Sequence, residues 1–282
     1  MPLPSLSSLP SHHKRLVTAL ALVLVIIVEI YLGGWPLRLL VLVAACIGLH
    51  EFFNMTCPEN TPRARKIIFI LLGALLVLSQ AVGPTATLVL LGLCFCALAM
   101  IFLFDFGQGS EQARLNEYAP FAFGLLYIPL ILQLALYLSP VEQCLVILAA
   151  IAADTGGYYA GTLWGERKLW PAVSPKKSWT GLFGGLALCL AVCSALGLAG
   201  NNLGWGLPEM PLWAWLLTAL LLHQAAVFGD FFESALKRTL EVKDSGSLLP
   251  GHGGILDRID SILFVIPVYM AIRLLALSCP TI

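Results

Sequence analysis

The sequence predicts an all-α, polytopic integral membrane protein with about nine transmembrane helices and a cytoplasmic N-terminus. Of its 282 residues, 59% are hydrophobic and 11% are charged, whereas about 25% of the residues of a typical soluble domain are charged. The mean hydropathy is +0.89. The long apolar runs lack the apolar–polar alternation of barrel strands, which favours membrane-spanning helices over a barrel.

A span is expected wherever about 20 predominantly apolar residues follow one another, because a helix of this length crosses the hydrocarbon core. The first such window follows Lys14 and Arg15, and we interpret it as an uncleaved span because no small-residue cleavage site follows it in register. In chain order, the windows are 16–33, 35–54, 66–82, 84–104, 118–138, 140–160, 179–199, 211–233 and 255–276.

The distribution of basic residues predicts the orientation, since Lys and Arg of short loops stay in the cytoplasm. With the N-terminus inside, 14 of the 16 basic residues lie on the cytoplasmic side, and only Arg38 and Arg273 lie on the other. The polar connecting segments therefore share the cytoplasmic face. The net formal charge of zero favours neither a nucleic acid nor an acidic protein as a partner, so we expect no nucleic-acid partner.

The residues that suggest chemistry are concentrated in the second half of the chain. We therefore predict a single membrane domain over 1–282, in which 1–138 provides scaffold spans and 139–282 is the catalytic half. Two cytoplasmic loops, 161–178 and 234–256, carry most of the polar residues of that half.

The first polar cluster is DTGGYYAG, near the end of the sixth predicted span. Asp154 would cost roughly 2.5 to 3.5 kcal/mol at the bilayer centre, and Gly156 and Gly157 can break a helix where the backbone lines a cavity. This pattern suits a cation or a nucleotide. The structural alternative is an acid that is hydrogen-bonded between helices.

The second cluster lies between Gly165 and Gly185, in the segment GERKLWPAVSPKKSWTGLFGG. Ser174 supplies a hydroxyl, and Lys176 and Lys177 supply two adjacent ammonium groups, which are suitable ligands for phosphate. The alternative interpretation is a positively charged anchor that only fixes the topology.

The third cluster spans the last two predicted helices and the loop between them. Asp230, Glu233, Ser234 and Lys237 follow one another at i, i+3, i+4 and i+7, so they form one polar stripe at the cytoplasmic end of a helix. Asp257 and Asp260 likewise share a face of the final helix. Carboxylates at this density suit Mg²⁺, which commonly binds one or two of them together with water and phosphate oxygens.

A glycine-rich turn, Gly251 to Gly254, contains His252 and precedes the final helix. Backbone N–H groups at such a turn can bind an anion. Nearby basic side chains would neutralise further phosphate charge, which indicates phosphoryl or nucleotidyl transfer. A salt-bridged loop that merely holds two helices together is the alternative. The basic residues are Lys237, Arg238, Lys243 and Arg258.

The segment Ser234–Asp260 resembles the signature of the phosphatidate cytidylyltransferase (CDP-diacylglycerol synthase) family. It matches the pattern S-x-hydrophobic-KR-x4-KD, then P-x-HGG-hydrophobic-x-DR-hydrophobic-D, and the upstream DTGGYYAG and VSPKKSWTGLFGG are similar to further family motifs. The chain departs from those motifs at Gly157, Ser178 and Thr180, where the family usually has alanine, threonine and glutamate.

The resemblance implies a nine-helix, dimeric enzyme of the bacterial inner membrane. Such an enzyme makes CDP-diacylglycerol and pyrophosphate from phosphatidate and CTP, requires Mg²⁺ and faces the cytoplasm. By position, Asp230 and Asp257 become the metal ligands, and they join Lys237, Arg238 and His252 as the catalytic candidates. The candidates for substrate or phosphate binding are Asp154, Ser174, Lys176, Lys177, Ser234, Lys243, Gly253, Gly254, Arg258 and Asp260.

Two other functions remain open from the sequence. A CTP-dependent lipid kinase of the polyprenol type would share nucleotide, metal and membrane, but it would release CDP and phosphorylate an alcohol. A secondary transporter would place its charges near the midplane, with repeat symmetry. Four intramembrane polar residues fit either a lipid cavity or hydrogen bonds between helices, namely Glu29, His50, Glu51 and His223.

Overall fold

The computed structural model describes residues 28, 31–32, 34–108, 115–248 and 253–278. They form two compact units. Unit 1 comprises the described residues of Met1–Gln133 and Val242–Arg258, and unit 2 comprises those of Leu134–Glu241 and Ile259–Ile282. The described residues of the loop after Glu241 thus belong to the unit of the N-terminal helices, and the predicted scaffold half 1–138 and catalytic half 139–282 stay a prediction.

Unit 1 is built from helices with large aromatic side chains in its core. Phe121 lies 5.0 Å from Phe53 and 4.6 Å from Phe69 between ring centroids. Gly124 makes room for this cluster, since a Cβ there would lie 2.7 Å from the Phe53 ring. The helices are α1 (Gly34–Thr56), α2 (Arg63–Ser79), α3 (Pro84–Gly107), α4 (Leu115–Tyr127) and α5 (Pro129–Leu132), followed by a 3₁₀ helix at Gln133–Tyr137.

Unit 2 contains the longer helices and a short hairpin. Helix α6 begins with a capping box, in which the Ser139 hydroxyl accepts from the Glu142 N–H and the Glu142 carboxylate accepts from the Ser139 N–H. The elements are α6 (Pro140–Trp164), β1 (Lys168–Trp170), β2 (Ser174–Ser178), α7 (Trp179–Leu203) and α8 (Leu212–Thr239), while α9 (Leu256–Ser278) starts in unit 1 and continues in unit 2.

Seven helical segments among the described residues are long and apolar enough to cross a membrane. They are α1, α3, the continuous segment Leu115–Tyr137, α6, α7, α8 and α9. The predicted window 66–82 corresponds to α2, which has 17 residues, and the window 16–33 lies almost entirely outside the described residues. A membrane protein of mostly helical structure is therefore confirmed, whereas the count of nine and the orientation stay predictions.

The all-α prediction is wrong in one place, the loop predicted at 161–178. Strands β1 and β2 pair there in antiparallel fashion, with Lys168 opposite Ser178 and Trp170 opposite Ser174. Helix α6 also extends to Trp164, and α8 continues to Thr239, so both predicted loops begin later than expected. The hairpin is too short to change the fold class, but it places the lysines of the second cluster.

Candidate active site

Helices α6 and α7 approach each other through glycines. A Cβ on Gly156 would lie 2.5 Å from the carbonyl oxygen of Gly184, and a Cβ on Gly185 would lie 2.5 Å from the carbonyl oxygen of Ala153. Small residues allow this backbone contact between membrane helices. The prediction that Gly156 and Gly157 break the helix is therefore wrong, because α6 continues through both residues.

The hairpin and three helices of unit 2 enclose a cavity of about 640 Å³. The hairpin contributes Lys168, Lys176 and Lys177, α6 contributes Asp154, and α8 contributes Asp230. A cavity of 300 to 1,000 Å³ is typical of small-molecule sites. Four residues from three separate sequence clusters, namely Asp154, Lys176, Lys177 and Asp230, are thus brought together as candidates, whereas Lys168 was not selected from the sequence.

Asp230 is held in the cavity wall by a cation and a hydroxyl. The Nζ atom of Lys177 lies 2.6 Å from Asp230 Oδ2, and Ser234 Oγ donates to Asp230 Oδ1 at 3.2 Å. Lys177 also lies over the ring of Phe231, 4.5 Å from its centroid. Both side chains of the ion pair are partly exposed, and Lys177 also has a cation–π contact beside it.

The predicted polar stripe on α8 continues beyond the cavity. Lys237 pairs with the buried Glu233 at 3.1 Å. Asp260 of α9 lies close enough to Asp230, Glu233 and Lys237 to interact with all three. The α8–α9 contact is close at this level, since a Cβ on Gly229 would lie 2.6 Å from the Asp260 carbonyl oxygen. Asp260 of α9 therefore lies beside the polar stripe of α8.

In unit 1, Asp257 closes the turn that precedes α9. Its Oδ2 atom accepts hydrogen bonds from the Gly254 N–H at 2.8 Å, the Ser245 N–H at 2.9 Å and the Ser245 hydroxyl at 3.0 Å. Gly253 has a φ of +80°, and a Cβ there would lie 2.5 Å from Asp257 Oδ2. The turn requires glycine for both reasons.

Glu51 binds the same turn. It accepts from the Ile255 N–H at 3.0 Å, the Leu256 N–H at 2.9 Å and the Ser245 hydroxyl at 3.2 Å. Three N–H groups of the turn are thus bound by protein carboxylates, where the sequence suggested a phosphate. The roles predicted for Gly253 and Gly254 in phosphate binding stay predictions.

The remaining candidates lie on separate elements or outside the described residues. Lys243 is exposed on the loop of unit 1 that carries Ser245, and Arg258 is exposed on the first turn of α9. Arg238 is exposed at the end of α8, and Ser174 begins β2. His252, together with Gly251, lies outside the described residues, as does Glu29.

Two residues of the site were left ambiguous by the sequence. Glu51 precedes a phenylalanine pair in a predicted span, which gives no sign of a function. Its hydrogen bonds to Ser245, Ile255 and Leu256 are seen only in the structure. His223 is fully buried and lines the cavity. Its spacing of seven residues from Asp230 is a helical repeat that could have placed both on one face of α8.

Comparison with known proteins identifies the family. A family model described as the cytidylyltransferase family matches residues 13–276. A phosphatidate cytidylyltransferase of Staphylococcus epidermidis is 32% identical over 263 residues, covering 90% of this chain and 95% of the relative. A phosphatidate cytidylyltransferase of Bacillus subtilis is 37% identical over 203 residues, covering 72% of this chain and 66% of the relative. The family match spans most of the chain, so this protein belongs to the cytidylyltransferase family.

Proposed function

We propose that the protein transfers CMP from CTP to phosphatidate, giving CDP-diacylglycerol and pyrophosphate. The observation that carries the proposal is the cavity lined by Lys168, Lys176, Lys177, Asp154 and Asp230 in a chain of the cytidylyltransferase family. The named relatives are phosphatidate cytidylyltransferases, which supports phosphatidate as the second substrate.

The three lysines suit a triphosphate. Each ammonium group binds phosphate oxygens as a point charge, and all three lysines belong to the hairpin and line the cavity. Lys177 can exchange its partner Asp230 for a phosphate oxygen, since the two are joined by a partly exposed ion pair. We expect the lysines to orient the triphosphate and to neutralise the charge that develops on the departing pyrophosphate.

The reaction is a direct displacement at phosphorus. An oxygen of the phosphatidate phosphate forms a bond to the α-phosphorus of CTP, while the bond to the oxygen bridging to the β-phosphate breaks. The bonding electron pair leaves with pyrophosphate. A phosphate monoester is already largely ionised near neutral pH, so the attack requires neither a strong general base nor a covalent enzyme intermediate.

The carboxylates of the candidate site suit a divalent cation. Carboxylate oxygens are hard ligands, and Mg²⁺ commonly uses one or two of them and completes its shell with water and phosphate oxygens. Among the residues that the structure describes, no three His, Cys, Asp or Glu side chains are placed to hold an ion together. We propose Asp230 and Asp257 as the residues that would hold Mg²⁺, which would supply charge neutralisation at the phosphates.

The cellular setting is proposed on the same basis. In the described part of the chain, seven helical segments are long and apolar enough to cross a membrane. Together with the positive-inside pattern of the sequence, they support a multi-pass protein of the bacterial inner membrane whose site faces the cytoplasm. A homodimer, as the family resemblance implies, is also part of the proposal.

The activity can be tested with purified protein in detergent, labelled CTP and phosphatidate. We expect pyrophosphate and liponucleotide in equal amounts, loss of both with EDTA and recovery with Mg²⁺. Diacylglycerol in place of phosphatidate is the matched control, because it lacks the attacking phosphate and should give no product. Release of CDP with phosphorylation of an alcohol would instead support the lipid kinase, and no turnover of CTP would contradict the proposal.

A further inference from the structure

We propose that Glu51, on the second span predicted from the sequence, is a positioning residue for the turn that carries Asp257. The expected change in kcat rests on the proposed function. The contacts of Glu51 with the turn do not, and they lie within unit 1, where α1 meets the loop after Val242.

The contacts of Glu51 are directed at the start of α9. One carboxylate oxygen, Oε1, accepts from the Ile255 N–H at 3.0 Å, and the other, Oε2, accepts from the Leu256 N–H at 2.9 Å. The first N–H groups of a helix have no partner inside the helix, and a carboxylate at this end also interacts favourably with the helix dipole. Glu51 therefore caps α9 from more than 200 residues away along the chain.

The backbone closes tightly around this carboxylate. A Cβ on Gly246 would lie 2.5 Å from Glu51 Oε1, and a Cβ on Gly254 would lie 2.4 Å from Glu51 Oε2. The side chain is only 6% exposed. A buried carboxylate that lost these donors would leave backbone N–H groups unpaired, which is costly in a site that excludes water. The backbone conformation of this turn therefore depends on the Glu51 carboxylate, because little water can reach the N–H groups to replace it.

Ser245 connects Glu51 to Asp257. Its hydroxyl oxygen lies 3.2 Å from Glu51 Oε2 and 3.0 Å from Asp257 Oδ2. A hydroxyl has one proton to donate, so the two carboxylates share this donor. Asp257 Oδ2 also binds the Gly254 N–H, in the residue before Ile255. Loss of Glu51 should therefore loosen the donors that orient Asp257.

The test compares wild type with Glu51→Gln. The amide keeps the size of the side chain but offers one oxygen instead of two, so its NH₂ group must face a backbone N–H. We expect the amides of Ile255 and Leu256 to exchange with deuterium at least about tenfold faster, since an opened turn is less protected. We also expect kcat to fall at least about tenfold, with the KM for CTP within about threefold, because the cavity lysines belong to unit 2.

Glu142→Gln is the matched control. Glu142 is also buried, and it accepts from the Ser139 N–H, Tyr269 and Arg273. It lies about three helical turns before Ala153, the first cavity residue of α6. Its replacement should lower thermal stability but leave kcat and the exchange of Ile255 and Leu256 unchanged.

The outcomes separate the positioning role from the proposed function. Unchanged exchange at Ile255 and Leu256, or an unchanged kcat, in folded Glu51→Gln would overturn the positioning role. If that variant does not fold, the test uses the wild-type protein. Rapid deuterium exchange of the Ile255 and Leu256 amides in wild type would overturn the positioning role, because it would show that Glu51 does not hold the turn. Failure of wild type to use CTP would contradict the proposed function and leave the exchange result interpretable on its own.

Discussion

Asp230 and Asp257 are two carboxylates that the protein holds in opposite ways. In unit 2, Oδ2 of Asp230 is bound by the ammonium group of Lys177 at 2.6 Å. In unit 1, Oδ2 of Asp257 is bound by three uncharged donors, two backbone N–H groups and one hydroxyl. The first arrangement balances charge with a mobile side chain, and the second fixes direction with the backbone.

The difference suggests separate tasks for the two acids. A lysine on a flexible stem can leave a carboxylate for a phosphate oxygen, so the Asp230 site can rearrange when a nucleotide binds. Backbone donors cannot leave without unfolding the turn, so Asp257 is preorganised. The hypothesis that both acids bind Mg²⁺ predicts that they are equally necessary despite this contrast.

The largest effect is expected from removing either charge. Asp230→Asn and Asp257→Asn should each lower kcat by about 10³-fold or more, the scale on which loss of a key charge-stabilising group acts. Both amides keep the volume of the acid, so both proteins should fold. Activity would be measured by pyrophosphate release from purified protein, and folding by size-exclusion chromatography and thermal unfolding.

Glu166→Gln is the control for these two variants, because Glu166 is an exposed acid between α6 and β1. Its activity should equal that of wild type. Wild-type activity in Asp230→Asn or Asp257→Asn would remove that residue from the proposed metal site. It would also contradict the prediction that the two acids are equally necessary.

A smaller effect is expected where the backbone itself orients the acid. Gly253 and Gly206 have nearly equal φ angles, +80° and +78°. A Cβ on Gly253 would meet Asp257 Oδ2, whereas a Cβ on Gly206 would meet nothing within 4 Å. Alanine should destabilise both positions by about 1 to 2 kcal/mol through strain, but only Gly253→Ala should lower kcat, by about 10-fold to 100-fold through displacement of Asp257.

Thermal unfolding and steady-state kinetics of the two glycine variants provide the measurement. Similar losses of activity in both would show that backbone strain, not the contact with Asp257, controls turnover.

The smallest effects are expected from the serines beside each acid. Ser245→Ala removes a buried hydroxyl shared by Asp257 and Glu51, so we expect a loss of about 1 to 3 kcal/mol in the free energy of unfolding. Its kcat should fall about 10-fold. Ser234→Ala removes one 3.2 Å bond to Asp230, and its kcat should fall only about twofold because Lys177 remains. Equal falls in kcat for the two serine variants in the same assay would contradict the proposed difference in how Asp230 and Asp257 are held.

Local patterns predicted much of this molecule from the sequence. Apolar windows located the helices within a few residues, and helical spacing placed Asp230, Ser234 and Lys237 along α8. The hairpin was missed because SPKKS has no apolar alternation and contains proline, a poor strand former. The pairing of Lys177 with Asp230 was not specified, although each residue was selected for its own motif.

Long-range contacts explain the rest of what was missed. The partners of Glu51 lie more than 200 residues away, and a single sequence carries no signal of that distance. Gly156 was interpreted as a helix breaker beside a cavity, and glycine also has a low helix propensity. In the structure, contact with Gly184 of α7 outweighs that propensity, and the helix continues.

The glycine contact between α6 and α7 has a consequence for genetic screens. At Gly156, Gly184 and Gly185, even a methyl group would overlap a backbone atom of the facing helix. Saturation mutagenesis should therefore score these three positions as intolerant as the reactive acids, although their role is to keep two backbones in contact. A loss-of-function map alone would consequently overstate the number of residues that handle the substrates.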